Sequence, residues 1–156
     1  MSRVERANES DIPGIVALNN RYAPQGLTLP RTADFVYAHL AEYRVIRGAD
    51  GEIVACAGLD EYSPSVAELI SLAVSQDEQE LGHGKALIKT IEKLARQRGY
   101  ADLFSVSYSD DLFLAAGFER TPLTTYPEKI ARYEKIDRSE LRVGEKHCFR
   151  KSLKAG

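Results

Sequence analysis

Along this chain the spacing of apolar residues switches between a period of two and a period near 3.6, and each switch marks an element. The clearest stretch runs from Val66 to Tyr100. It reads as a buried strand from Glu68 to Val74, a polar turn holding Gly82 and Gly84, and an amphipathic helix. Leu87, Ile88, Ile91, Leu94 and Ala95 form that helix's apolar stripe. Upstream, Arg3 to Ala7 suits a short strand. Ser10 or Asp11 can then cap a helix whose Ile12, Ile15, Val16 and Asn19 share a face, ending near Tyr22. Two prolines and a glycine keep Ala23 to Thr32 non-helical until Thr32 caps a second helix bearing Phe35, Val36 and Leu40. Tyr43 to Arg47 and Glu52 to Leu59 are β-rich runs flanking Asp50-Gly51, a strong hairpin signal.

Beyond the long helix, Ala101 to Ser107 is another strand. Ser109-Asp110-Asp111 can cap a short helix that ends at Ala116 with Gly117 as its stop, and Phe118 opens a further strand. Pro127 fits the first turn of a helix from Glu128 to about Asp137, and Glu145 to Leu153 suits a last strand pairing back into the sheet. The order β-α-α-β-β-β-α-β-α-β-α-β predicts a single α/β (α+β) domain over 1–156. Its sheet is mixed and mostly antiparallel, with helices on both faces, and ligands in such sheets favour strand ends where neighbours diverge.

Composition narrows the classes. The 156 residues are 44% hydrophobic, enough for a core, and the formal charge of −2 carries no basic excess for nucleic acid. The two cysteines, Cys56 and Cys148, are far apart and lack metal-ligand spacing, which fits reduced thiols in a cytoplasm; either could be reactive. No long apolar run predicts a membrane segment, and the charged N-terminus has no signal-peptide core. His39 and His147 have no partner spacing, so no metal is expected and both read as surface or satisfied residues. Tyr22, Tyr37, Tyr43 and Tyr62 read as amphipathic packing.

The turn before the long helix carries the chemistry. Gly82 and Gly84 let the backbone curl so that several amides point outward at the positive end of the helix dipole, a cradle for phosphate. A bare turn and cap would need no ligand. The wider spacing, Leu72-Ala73-Val74 followed by Gln79-x-x-Gly82-x-Gly84 and a helix, resembles the coenzyme A signature of the GNAT superfamily of N-acetyltransferases. It lacks the glycine spacing of a Rossmann turn and the Gly-Lys-Ser/Thr of a Walker loop. The resemblance covers nearly the whole chain and is closest to the short stand-alone acetyltransferase form of N-acetylglutamate synthase. Four stretches carry it: Asn20 to Thr32, Ala67 to Val74, Ser107-Tyr108 with Leu112 to Phe118, and Tyr126-Pro-Glu-Lys-Ile.

That resemblance implies acetyl transfer from acetyl-CoA to the α-amino group of a small, glutamate-like amino acid in the cytoplasm, as in arginine biosynthesis. It implies no nucleic-acid or membrane partner and leaves room for a homodimer. Leu72, Ala73, Val74, Gln79, Leu81, Gly82, His83, Gly84 and Lys85 would hold the cofactor. Glu68, placed on one strand face with Ile70, Leu72 and Val74, would be the base that frees the amine, unless it is only an exposed ion-pairing carboxylate. Arg31 would clamp the acceptor carboxylate, unless it is a surface cation flanking a helix. Ser107, Tyr108 and Lys129 would complete the substrate site. Many relatives place a Tyr where Phe113 stands, so protonation of the leaving thiolate would fall to Tyr108, to water or to nothing. Asp77, Glu78 and Glu80 crowd the phosphate turn, partly offset by His83, Lys85 and Lys89. Ala131 and the charged tail from Arg132 to Val143 also depart from the relatives at the acceptor side. Acetylation of a protein, polyamine or xenobiotic amine, or a non-catalytic CoA-binding module, are the alternatives.

Overall fold

The computed structural model describes residues 3–22, 30–79, 81–134 and 147–153. Glu80, the loop over 23–29, the end of the helix expected near Asp137, the tail onward to Val143 and the start of the last strand at Glu145 lie outside them. The strands are β1 (Val4–Arg6), β2 (Arg44–Arg47), β3 (Ile53–Ser63), β4 (Val66–Val74), β5 (Asp102–Ser107), β6 (Glu119–Thr121) and β7 (His147–Ser152). The helices are α1 (Ile12–Arg21), α2 (Ala33–Ala38), α3 (His83–Gln97), α4 (Asp110–Ala115) and α5 (Pro127–Glu134). Their succession is the one the periodicity predicts. All seven strands form one sheet in the order β1-β2-β3-β4-β5-β7-β6, antiparallel except for the β4–β5 pair. The last strand thus inserts between β5 and β6.

Helices cover both faces. On one, Leu87, Ile88, Ile91 and Leu94 of α3 pack with Ala55, Ala57, Leu69 and the rings of Phe113, Phe118 and Phe149. On the other, Ile15 and Leu18 of α1 and Val36 of α2 pack with Tyr43, Val45, Cys56 and Ile70. Each such side chain contributes about 1.5–3 kcal/mol when fully buried. Thr32 caps α2 as expected, its side chain accepting from Phe35 N at 3.0 Å. At α1 the outcome differs. Asp11 precedes the helix, but its carboxylate accepts from Asn8 N at 2.9 Å and pairs with Arg47 at 2.5 Å, so it ties the preceding 3₁₀ turn to β2.

β4 departs from a simple pleat. Between Ile70, which faces Gly58, and Ala73, which faces Cys56, it spends one residue more than β3, and Ser71 takes φ +58°. This bulge reverses the side-chain alternation. Ile70 and Ala73 therefore pack under α1, whereas Leu72 and Val74 turn to the α3 side. The expectation that Glu68 shares a face with Leu72 and Val74 is thereby corrected: of the three residues expected beside it, Ile70 alone stays on that face, and Ala73 joins it beyond the bulge. The bulge is braced by Tyr43, whose hydroxyl lies 2.9 Å from Ser71 Oγ. Gly58 lets that ring cross β3, since a Cβ there would sit 3.1 Å from it. Burial pushes the Tyr43 phenol up to about 12, so it stays protonated at neutral pH.

A β-branched residue at positive φ is strained by about 1–3 kcal/mol, and the lost hydrogen bond adds about 1. Ser71→Val should therefore lower unfolding free energy in urea by about 2–4 kcal/mol, while Ser71→Gly should cost only about 1. Equal losses for the two variants would show that the bulge conformation stores no strain.

Candidate acetyl-CoA cleft and acceptor face

β4 and β5 are paired only from Val66–Asp102 to Glu68–Phe104. Beyond that point Ser105 Oγ donates to Leu69 O at 2.8 Å, filling with a hydroxyl the place where the ladder would have continued. From Leu72 to Val74, β4 has no strand partner on its β5 side among the described residues. The gap opens into a cleft of about 590 Å³ with apolar walls from Leu72, Val74 and Leu112. Its floor is the turn into α3. Gly82 caps that helix at φ +87°, with no atom within 4 Å of where its Cβ would stand. The first intrahelical bond is Ala86 N to Gly82 O, so the amides of His83, Gly84 and Lys85 precede the ladder at the positive end of the dipole. Gly84 is small for a different reason: Leu112 of α4 lies 2.9 Å from its would-be Cβ.

Of the residues expected to hold CoA, Leu72, Ala73, Val74, Gln79, Gly82, His83, Gly84 and Lys85 line this cleft. Leu81 does not; it is 59% exposed and faces a smaller recess beside Ile46 and Val54. The Val74 carbonyl already accepts from Tyr22 Oη at 2.5 Å and from Gln79 Nε2 at 3.2 Å, which ties α1 and the turn to the strand end. Among the acidic residues of the turn, Glu78 sits 3.4 Å from His83 Nε2, a pair that offsets its charge when His83 is protonated. Ser107 and Tyr108 line the opposite wall, with Ser109.

Glu68, Lys129 and Arg31 are not on the cleft wall; they lie on the sheet face opposite α3. Glu68 is 4% exposed, and its Oε1 accepts from Lys129 Nζ at 3.0 Å and from Tyr62 Oη at 2.7 Å. The base and the second substrate anchor inferred from sequence are thus partners in one buried ion pair, not an exposed one. Burial, and then the Glu68 charge, raise the Tyr62 phenol far above its ordinary range, so it remains a donor. Opposite Glu68 across the hairpin stands Asp60, bonded to Arg132 at 2.6 Å and to His39 at 3.3 Å. His39 Nδ1 faces Phe35 O at 2.8 Å. The Phe35 ring carries the Arg31 guanidinium 4.5 Å from its centroid. Arg31 Nε is buried with no hydrogen-bond partner among the described residues.

Phe113 belongs to the core. It is fully buried, 5.2 Å from Phe118 and 5.3 Å from Phe149, while its neighbour Leu112 reaches the cleft. A hydroxyl added there would be buried among rings, at a cost of about 1–3 kcal/mol unless it found a partner. Burial pushes both the Cys56 and Cys148 thiols up to about 12, so neither is a thiolate at neutral pH. Of the tyrosines expected to pack, Tyr43, Tyr22 and Tyr62 do so, with the Tyr22 ring also lining the cleft and the Tyr62 hydroxyl bonding Glu68, whereas Tyr37 is 60% exposed.

Comparison with known proteins decides the family, because the profile described as the acetyltransferase (GNAT) family matches residues 14–118. The chain belongs to the GNAT family. It is an acetyl-CoA-dependent N-acetyltransferase. An N-acetyltransferase of Chlorobaculum tepidum is 24% identical over 83% of each chain. The amino-acid acetyltransferase of Mannheimia succiniciproducens is 31% identical over 88% of this chain and 32% of its own. The N-acetylglutamate synthase of Neisseria gonorrhoeae, solved with coenzyme A and N-acetyl-glutamate, superposes with a TM-score of 0.82. It is 28% identical, over 99% of this chain and 35% of that one. This chain therefore spans about a third of the length of the relatives with amino-acid acetyltransferase names.

The GNAT cleft here fits coenzyme A: an anion cradle at a helix N-terminus, a strand edge without a partner among the described residues and apolar walls. Gly82→Ala puts a Cβ in the left-handed region, which costs about 1–2 kcal/mol. If the turn relaxes and disperses its amides, acetyl-CoA affinity measured by calorimetry should fall about 5- to 30-fold. Gly84→Ala meets only the mobile end of Leu112 and should bind nearly normally. Weaker binding by the Gly84 variant than by the Gly82 variant would refute this division of roles.

Proposed function

We propose that this N-acetyltransferase acetylates the α-amino group of a small amino acid that carries a second carboxylate, as glutamate does. The observation that carries this reading is the Arg31 guanidinium, stacked on Phe35 with its buried Nε lacking a partner among the described residues. A buried donor left unpaired costs about 1–3 kcal/mol, and a carboxylate is the ligand its planar fork matches. On the same sheet face, Asp60 is already paired with Arg132 and Glu68 with Lys129. With those carboxylates engaged by other cations, the Arg31 guanidinium suits an acidic acceptor. The relative solved with N-acetyl-glutamate supports the same class.

In this reading acetyl-CoA supplies the acyl group as a reactive thioester. The amides of His83, Gly84 and Lys85 would hold its diphosphate, and Leu72 to Val74 would line its arm. The protein orients the acceptor on the far face of the gap, where Arg31 holds a carboxylate. Glu68 takes the ammonium proton, because only the neutral amine is nucleophilic. Tyr108, exposed on the β5 wall, offers the hydroxyl proton for the departing sulfur, and Ser107 borders the same opening.

Arg31→Ala should raise the KM for L-glutamate at least tenfold with little change in acetyl-CoA affinity, and Arg31→Lys should recover little of it. Equal losses toward both substrates would mean that Arg31 is structural. Glu68→Gln should depress turnover most at neutral pH and regain part of it as pH rises and free amine accumulates. A profile parallel to wild type would remove Glu68 as the base.

A further inference from the structure

Glu68 is held in a closed, buried ion pair. Its Oε1 accepts two hydrogen bonds, one of them from an ammonium, and the side chains of the pair are 5% and 4% exposed. A neighbouring cation favours the charged form of a carboxylate, so a base takes up a proton more readily once that cation has moved away. The other charged groups nearby are committed elsewhere. Asp60 is engaged by Arg132 and His39, Arg132 also lies 3.7 Å over the Tyr62 ring, and the Cys148 thiol on β7 is uncharged at neutral pH. Among the described residues, Glu68 is the carboxylate with which Lys129 pairs. The four-carbon stem of Lys129 is flexible, and moving the ammonium from one carboxylate to another exchanges ion pair for ion pair without stranding a charge.

The geometry points to Lys129 as a gate on Glu68 that the acceptor's own α-carboxylate opens. A carboxylate entering beside the pair draws the ammonium of Lys129 onto itself. Glu68 then keeps only the Tyr62 hydrogen bond and faces the acceptor's ammonium. One proton passes from that nitrogen to the Glu68 carboxylate, the nitrogen keeps its electron pair, and the summed charge of the two groups stays at zero. An amine without an adjacent carboxylate leaves the pair closed and is not activated. Lys129 is then the residue that restricts the enzyme to α-amino acids, and Tyr62 positions Glu68. This rests on the acceptor reading above and deepens it.

The test uses the full chain at saturating acetyl-CoA and two acceptor pairs that differ only at the α-carboxylate: L-glutamate with L-isoglutamine, and L-alanine with L-alaninamide. In wild type, kcat should be at least 100-fold lower for each amide. In Lys129→Met, kcat for the amino acids should fall while the amino-acid-to-amide ratio in kcat shrinks below tenfold. A merely structural lysine would lower all four acceptors together and leave the ratio intact, and that result overturns the gate. Similar wild-type kcat for both members of each pair also overturns it. Turnover of L-alanine with none of L-glutamate would remove the acidic acceptor and leave the gate to be judged on the alanine pair. Absence of turnover with either amino acid would refute both. Should Lys129→Met fail to fold, a crystal structure of wild type with CoA and L-glutamate decides. Lys129 Nζ should bond the ligand's α-carboxylate and have left Glu68, and bound L-glutamate beside an unbroken Lys129–Glu68 pair overturns the proposal.

Discussion

The β4 strand has to abandon its neighbour for this protein to have a site at all. Its ladder with β5 stops at Glu68–Phe104, and one extra residue at Ser71 reverses the pleat just beyond. Because side chains alternate strictly along a strand, that single residue divides β4 into two chemistries. Glu68 faces the α1, α2 and α5 side, and Leu72 and Val74 face α3 and the cofactor turn. The gap between the strands is the only route the proposed chemistry needs between the two faces. Tyr43, Ser71 and Gly58 brace the distortion, and Ser105 fills the broken end of the ladder.

What lies on the acceptor side is hard to justify by stability alone. Buried ion pairs such as Glu68–Lys129 often contribute less than hydrophobic residues of the same volume would, while losing one partner costs about 3–5 kcal/mol. Asp60 and Glu68 stand directly opposite each other, where like charges repel, so Arg132 and Lys129 on successive turns of α5 are required to hold both. That helix carries its cations to the sheet face beside the gap. The proposed site for a carboxylate-bearing acceptor would account for the expense, and the Nε of Arg31, without a partner among the described residues, supports the same proposal.

Much of the cofactor side is legible in the order of residues alone. The signal is local: an apolar strand, two glycines at fixed spacing and an amphipathic helix follow one another within a single stretch, and each acts through its own backbone. Gly82 is a glycine because of its φ, which a turn motif announces. Gly84 looks the same in sequence, but its smallness answers to Leu112, a contact made by a later helix. Leu81, in the middle of the motif, turns outward for the same kind of reason, since a turn motif fixes the backbone path and not which way each side chain points.

The acceptor side is legible in sequence only as a collection of residue types. Glu68, Arg31 and Lys129 stand out by type and place, but Glu68 and Lys129 are 61 residues apart and their pairing depends on α5 folding back over the sheet. Asp60, Tyr62 and Arg132 carry no such signal. Their roles follow from the β3–β4 register and from an extension of β3 beyond Leu59 that no local period announces. The alternation rule itself fails at Ser71, because a bulge is decided by what the neighbouring strand and Tyr43 will accept. The sequence by itself therefore determined the order of elements, the family resemblance and the anion cradle, all of which are carried by short-range backbone preferences and spacing. Tertiary structure alone decided which side chains share a face, which charges neutralise one another and which donor is left waiting, because those depend on register and on contacts between distant segments.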